Sequence, residues 1–213
     1  MDEEIEIINT NTRIEKVKNF FVSKRKQIIT LFIILILILI SFFAYQEFKS
    51  RDKIKLANKF NMIVTSFENG QKNVNDDLID IINVKDKTYS PLAFFFLLDN
   101  DLISSKDEIN LYFDILINNI PLEKEIKNLI IYKKGLFNSD YVQENELLNI
   151  LNPIIKSESI WKPHALYLMA EYYFAKKEKQ KSKEFLEQLI SLENISEKIK
   201  IEAQKRLRSD FSE

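Results

Sequence analysis

The feature that most constrains this chain is an apolar run from Ile28 to Tyr45. Before the closing tyrosine, only Thr30 and Ser41 interrupt its Ile, Leu, Phe and Ala side chains. Its 18 residues would extend about 27 Å as an α-helix, close to the roughly 30 Å of a bilayer's hydrocarbon core. The run therefore predicts a single transmembrane helix over residues 28–45, between a tail over residues 1–27 and a soluble domain over residues 46–213.

A cleaved signal peptide is the alternative for this segment, because basic residues precede one apolar run near the N-terminus. The apolar core of a signal peptide spans roughly 7 to 15 residues, which is shorter than this run. The best small residue for cleavage is Ala44, but aromatic Phe42 stands two positions before it, where cleavage needs a small side chain. We therefore expect an anchor that is retained.

The charges beside the run predict its orientation. Lys24, Arg25 and Lys26 directly precede it, whereas the basic residues that follow are interleaved with acidic ones. Because basic flanks remain in the cytoplasm, we expect a cytoplasmic N-terminus and a soluble domain on the opposite side. The tail has a capping-box pattern at residues 12–15, which is typical of a short amphipathic helix on the membrane surface. A disordered basic tail is the other interpretation of that segment.

The soluble part is predicted to be all-α. The whole chain has only two glycines and four prolines, and tight β-hairpins need glycine. Apolar residues continue at helical spacing from Leu56 to Phe67, so the first helix is expected to run past the span to near Gly70. Later prolines and turn residues mark further helix starts. The pattern predicts helix pairs at about residues 53–83, 90–118, 121–156 and 161–192, followed by a closing helix at residues 196–209.

Apolar positions also recur at long intervals. Leu97, Ile131 and Met169 form one column, with steps of 34 and then 38 residues, and 34 residues is the period of tetratricopeptide repeats. The C-terminal pair fits the repeat best, with small residues where its helices approach and large residues elsewhere. These positions are Leu166, Met169, Ala170, Tyr173, Ser182, Leu186 and Leu189. The chain thus resembles the tetratricopeptide family, with Leu98 and Tyr132 standing where the family prefers a small residue.

The whole arrangement is similar to that of membrane-anchored tetratricopeptide-like proteins related to the ancillary subunit of the bacterial Sec translocon. The likeness rests on the basic tail, the span ending in residues 45–48, Ala57 and Phe60 before Gly70, and the C-terminal repeat. It implies a single-pass protein of the bacterial inner membrane whose C-terminal domain lies in the periplasm. The partners that it implies are translocon subunits, periplasmic chaperones or nascent secreted chains.

The resemblance also points to a contact face. In the tetratricopeptide pattern, the concave face corresponds here to His164, Tyr167, Glu171 and Phe174, and we expect these residues to contact a bound peptide. Trp161, just before them, is expected to pack against the start of their helix. The resulting hypothesis is a protein-binding scaffold. Two alternatives stay open, which are an accessory scaffold of envelope assembly or cell division and a membrane-bound enzyme with an unrecognised site.

The residue types argue against catalysis and cofactor binding. The chain has no cysteine and a single histidine, His164, so it lacks the ligands for a zinc site and the partners for a Cys/His pair. It also lacks a glycine-rich phosphate loop. Its 31 basic and 32 acidic residues leave a net charge of −1, which disfavours nucleic-acid binding. The sequence therefore predicts no catalytic residue, no cofactor, no metal and no small-molecule substrate.

Overall fold

The computed structural model describes residues 15, 18–20, 22–193 and 195–211, with residue 28 described by its backbone alone. Within these residues the regular elements are all α-helices, so the all-α prediction is confirmed. The predicted amphipathic tail helix lies largely outside the described residues. The helices are α1 (Arg25–Glu68), α2 (Asn75–Asn83), α3 (Tyr89–Asp99), α4 (Lys106–Asn119), α5 (Lys124–Asn138), α6 (Glu144–Ile155), α7 (Lys162–Ala175), α8 (Lys179–Ile190) and α9 (Glu197–Phe211).

The structure divides into two units, residues 1–59 and residues 60–213. In the first unit, α1 carries the apolar run, and its described side chains between residues 29 and 45 are exposed. Thr30, one of its few polar residues, donates its hydroxyl to the carbonyl of Lys26 at 2.9 Å and so makes its hydrogen bond within the helix. The helix is long and apolar enough to cross a membrane.

The predicted continuation of this helix beyond residue 45 is confirmed, since α1 runs unbroken to Glu68. Gly70 ends it with a backbone φ of +97°, which a side chain would strain. The amide of Gly70 donates to the carbonyl of Phe67 at 2.9 Å and closes the last turn.

In the second unit, aromatic rings join the first helices. The ring of Phe96 in α3 lies 6.4 Å from that of Phe60 and 5.3 Å from that of Phe67, both at the end of α1. Phe94, on the buried face of α3, meets Phe113 of α4 edge to face at 4.8 Å. Burial of such rings stabilises the contacts, because aromatic pairs in this geometry add to the hydrophobic effect.

Small and polar residues set the spacing of later helices. Asn110 of α4 and Asn138 of α5 exchange side-chain hydrogen bonds of 3.1 and 2.8 Å. Gly135 lets α5 approach α6 closely, because a Cβ there would lie 2.5 Å from Cδ2 of buried Leu151. In the next pair, the buried hydroxyl of Ser182 in α8 donates to the carbonyl of Ala170 in α7 at 2.8 Å.

Each helix from α2 to α8 packs against the next one along the chain, and α5 also contacts α7. The most extensive contacts of α2 are with α3, across the boundary predicted between residues 53–83 and 90–118. The most extensive contacts between two helices are those of α7 with α8, the pair in which the sequence fits the repeat pattern best. The grouping of the helices into repeats, this pair included, stays a prediction.

Candidate protein-binding site

The four residues predicted to contact peptide lie on α7 at spacings of three, four and three, which places them on one face of the helix. All four are half-buried. The other positions of α7 are largely taken up by the core, where Leu166, Met169 and Ala170 are almost fully buried. This face is therefore the part of α7 that remains open to other segments.

The loop before α7 is fixed by the start of α5. The Ser159 hydroxyl donates to Oε2 of Glu125 at 2.7 Å and accepts from the side-chain amide of Asn128 at 3.0 Å. The backbone amide of Trp161 in turn donates to the same hydroxyl at 3.1 Å. These bonds hold Trp161 at the position where α7 begins, and Pro163 in the first turn suits a helix start.

An aromatic cluster links α5 to the start of α7. The indole of Trp161 stacks on the ring of Tyr132 with 5.9 Å between centroids and 19° between planes. The His164 imidazole lies 5.7 Å from the Tyr132 ring and 5.2 Å from the indole. Trp161 thus packs at the helix start as expected, but its partner is a tyrosine of a neighbouring helix.

A cleft of about 420 Å³ opens beside this cluster, between α5, α7 and the start of α9. We call it the α5–α7–α9 pocket. Its lining residues are Tyr132, His164, Tyr167, Ser196, Lys198, Ile199 and Glu202. Two of the four predicted contact residues, His164 and Tyr167, therefore lie in one pocket. Its volume is within the range of sites that bind small ligands or single side chains.

The other two predicted residues lie against α9 instead. Nη2 of Arg206 is 2.7 Å from Oε1 of Glu171, and its guanidinium carbon lies 4.8 Å from the centre of the Phe174 ring. The Phe211 ring also packs on Phe174, at 6.0 Å. The closing helix thus occupies the C-terminal part of the predicted face, and the N-terminal part stays open as the pocket.

Burial sets the electrostatics of the pocket. Burial lowers the pKa of His164, and the nearby backbone of Ile160 opposes part of that shift. Among the described residues, the buried Nδ1 atom of His164 has no partner in good hydrogen-bond geometry. The imidazole is therefore neutral near pH 7. Burial also raises the pKa of Tyr132, and burial followed by the charges of Glu171 and Glu202 raises that of Tyr167. Both phenols stay protonated.

Tyr132 is the site residue that sequence reasoning missed. In the sequence it stood only as a departure from the small residue of the repeat pattern. The structure shows where the larger ring goes, because it turns toward Trp161 and His164 and forms one wall of the pocket. The sequence did mark this position, because Tyr132 is a bulky residue where close helix packing favours a small one.

The arrangement favours noncovalent binding. The pocket offers aromatic faces, one neutral imidazole, a hydroxyl at Ser196 and two oppositely charged residues at its rim. Among the described residues, no three His, Asp or Glu side chains come together to hold a metal ion. Comparison with known proteins gives no match to a family model, to a curated protein or to a solved structure.

Proposed function

We propose that this protein is a membrane-anchored scaffold that binds segments of other proteins. The observation that carries the proposal is the open α5–α7–α9 pocket, which is lined by His164 and Tyr167 of the predicted contact face. Aromatic side chains that are half-buried and held by neighbours favour binding, because little side-chain entropy is lost when a partner covers them.

The second part of the proposal is that the soluble helices form a tetratricopeptide-like solenoid. Consecutive packing from α2 to α9 supports it, because repeat proteins bury their cores mainly between neighbours along the chain. The close contact of Ala170 with Ser182 supports it in the C-terminal pair. In such an arrangement α3, α5, α7 and α9 are the first helices of successive pairs and share one side of the solenoid.

The third part concerns place and partners. An apolar α1 with Lys24, Arg25 and Lys26 at its start supports an anchor with its N-terminus in the cytoplasm. The resemblance to the ancillary subunit of the Sec translocon supports a periplasmic domain in a bacterial inner membrane. There the scaffold would link the translocon to periplasmic chaperones or to emerging secreted chains.

A reporter fusion tests the orientation. Alkaline phosphatase, which is active only after export, is fused after Ser50, and a control fusion after Lys26 lacks the span. We expect activity from the first fusion and none from the second. An inactive fusion after Ser50 in a bacterial host would contradict the periplasmic domain and the secretion-linked function together.

Mild crosslinking in cells followed by affinity purification tests the partners. We expect the wild-type chain to recover translocon subunits, periplasmic chaperones or secreted chains. Tyr167→Ala should lose them, whereas the matched control Tyr141→Ala should not, because Tyr141 is an exposed tyrosine that does not line the pocket. Recovery of only division or outer-membrane assembly factors would refute the translocon proposal, and recovery that does not depend on Tyr167 would refute the pocket's role.

A further inference from the structure

We infer that the α5–α7–α9 pocket takes the basic side chain of a bound polypeptide, a lysine or an arginine. This inference rests on the proposed function, because it names which feature of the partner segment the scaffold recognises. Three features of the structure support it: the aromatic walls, a rim carboxylate without an ion-pair partner in the described part of the chain, and the cation–ring contacts between the neighbouring helices.

Cations already lie over aromatic rings at the neighbouring helix contacts. Between α3 and α5, Nζ of Lys133 lies 4.7 Å from the centre of the Phe95 ring. Between α7 and α9, the guanidinium of Arg206 lies 4.8 Å from the Phe174 ring while it pairs with Glu171 at 2.7 Å. Both contacts combine a cation with a ring face, and the second adds a carboxylate.

At the contact between α5 and α7, aromatic rings are present, but no lysine or arginine of the described residues lies over them. Tyr132 and His164 face the pocket, and Trp161 supports Tyr132 from behind by stacking. Within the described part of the chain, no lysine or arginine lies over Tyr132, Tyr167 or Trp161. A partner can therefore supply at this contact the cation that the chain supplies at the contacts before and after it.

A carboxylate is present to complete such a site. Glu202 lines the rim from α9 and has no ion-pair partner among the described residues. The nearby Glu171 and Asp210 are both engaged by Arg206, at 2.7 and 3.1 Å. A basic side chain that stacks on the rings would thus reach an available carboxylate, in the same combination that holds Arg206 against Phe174 and Glu171.

Lys198 makes the sign of the preference testable. It shares the rim one turn before Glu202, so it opposes a bound cation and would favour a bound anion. Ring faces attract cations and repel anions, so the aromatic walls and Glu202 both favour a bound cation, whereas Lys198 opposes it. Removing the charge of Lys198 should therefore strengthen the binding of a basic side chain, and removing the charge of Glu202 should weaken it.

The fluorescence of Trp161 reports binding directly, because it is the only tryptophan of the chain and stacks on a wall of the pocket. The full-length protein in nonionic detergent is titrated with acetyl-Gly-Ser-Xaa-Ser-Gly-amide peptides, where Xaa is arginine, lysine, citrulline, norleucine or glutamate. Citrulline is the matched control, because it keeps the shape of arginine without its charge.

We expect saturable changes with the arginine and lysine peptides, and about tenfold weaker binding of the citrulline peptide, because uncharged citrulline cannot make a cation–π contact. A tenfold difference corresponds to roughly 1.4 kcal/mol. Glu202→Gln should weaken arginine binding several-fold, and Lys198→Gln should strengthen it. Both residues are exposed, so these variants are expected to keep the fold, and their circular dichroism checks this.

Three results would overturn the inference. They are equal binding of arginine and citrulline peptides, tightest binding of the norleucine or glutamate peptide, and no response of Trp161 to any peptide. The proposed function is tested separately by the Tyr167-dependent recovery of partners in cells. If partner recovery depends on Tyr167 while the peptides show no preference for charge, the inference fails and the proposed function stands.

Discussion

Replacing Gly135 with alanine adds one carbon at the closest approach of α5 and α6. The new Cβ would lie 2.5 Å from Cδ2 and 3.0 Å from Cγ of Leu151. Leu151 cannot move aside easily, because it is fully buried among Ile131, Leu147 and Ile154. Such overpacking costs about 1–3 kcal/mol, while alanine gains about 1 kcal/mol over glycine in a helix. We therefore expect Gly135→Ala to lower the free energy of unfolding by about 1 kcal/mol.

The effect of Gly135→Ala on the free energy of unfolding should change sign once Leu151 is truncated. Leu151→Ala alone should cost about 2–5 kcal/mol, because it removes a fully buried side chain. In that background the three atoms nearest to the added Cβ are gone, because all three belong to the Leu151 side chain. The gain in helix propensity, about 1 kcal/mol, should then dominate. The double-mutant cycle thus predicts a coupling free energy of about 2 kcal/mol between the two positions.

Urea unfolding of the four full-length proteins in nonionic detergent, followed by far-ultraviolet circular dichroism, measures these free energies. We expect the micelle to cover the apolar part of α1, so that the transition reports α2 to α9. A coupling near zero, with Gly135→Ala stabilising both backgrounds equally, would refute the close approach of α5 and α6.

Three further predictions concern single side chains. Arg206→Ala removes the ion pair with Glu171, and we expect it to cost about 1 kcal/mol and to speed proteolysis within α9, whereas the exposed control Lys205→Ala should do neither. The pKa of Tyr112 is raised to about 12, chiefly by burial, so the free energy of unfolding should fall as pH rises from about 10 through 12. In a titration followed by tyrosinate absorbance, Tyr112→Phe should remove the ionisation step near pH 12. Burial lowers the pKa of His164, so the NMR signals of this one imidazole should titrate with a midpoint below the ordinary value of 6.5. The free energy of unfolding should fall as pH drops from 6.5 through that midpoint. A midpoint above 6.5 would contradict the burial of His164.

Much of the helical framework follows from local signals in the sequence. Ser105 caps α4 by accepting a hydrogen bond from the amide of Glu108, and Pro163 lies in the first turn of α7. Gly70 follows the end of α1 with a positive φ. These residues act within one turn of their own position, so their effect can be inferred without knowing which helices meet.

The pocket could be predicted only in part, because it depends on contacts between residues far apart in the sequence. The repeat pattern placed His164 and Tyr167 on one face of a helix, and helical spacing is enough for that. It does not show that Tyr132 of α5 stacks on Trp161, or that Arg206 of α9 reaches the same face. Those neighbours are set by how three helices pack, which local patterns leave undetermined.

Site-specific photocrosslinking from the pocket tests the central proposal most directly. The photoreactive residue p-benzoyl-phenylalanine replaces Tyr167 in one strain and the exposed Tyr141 in a control strain, and irradiated cells are analysed for crosslinked polypeptides. We expect discrete crosslinks to other proteins from position 167, including translocon subunits, chaperones or secreted chains, and none of these from position 141. Crosslinks that are absent from position 167, or identical at both positions, would contradict a protein-binding site between α5, α7 and α9.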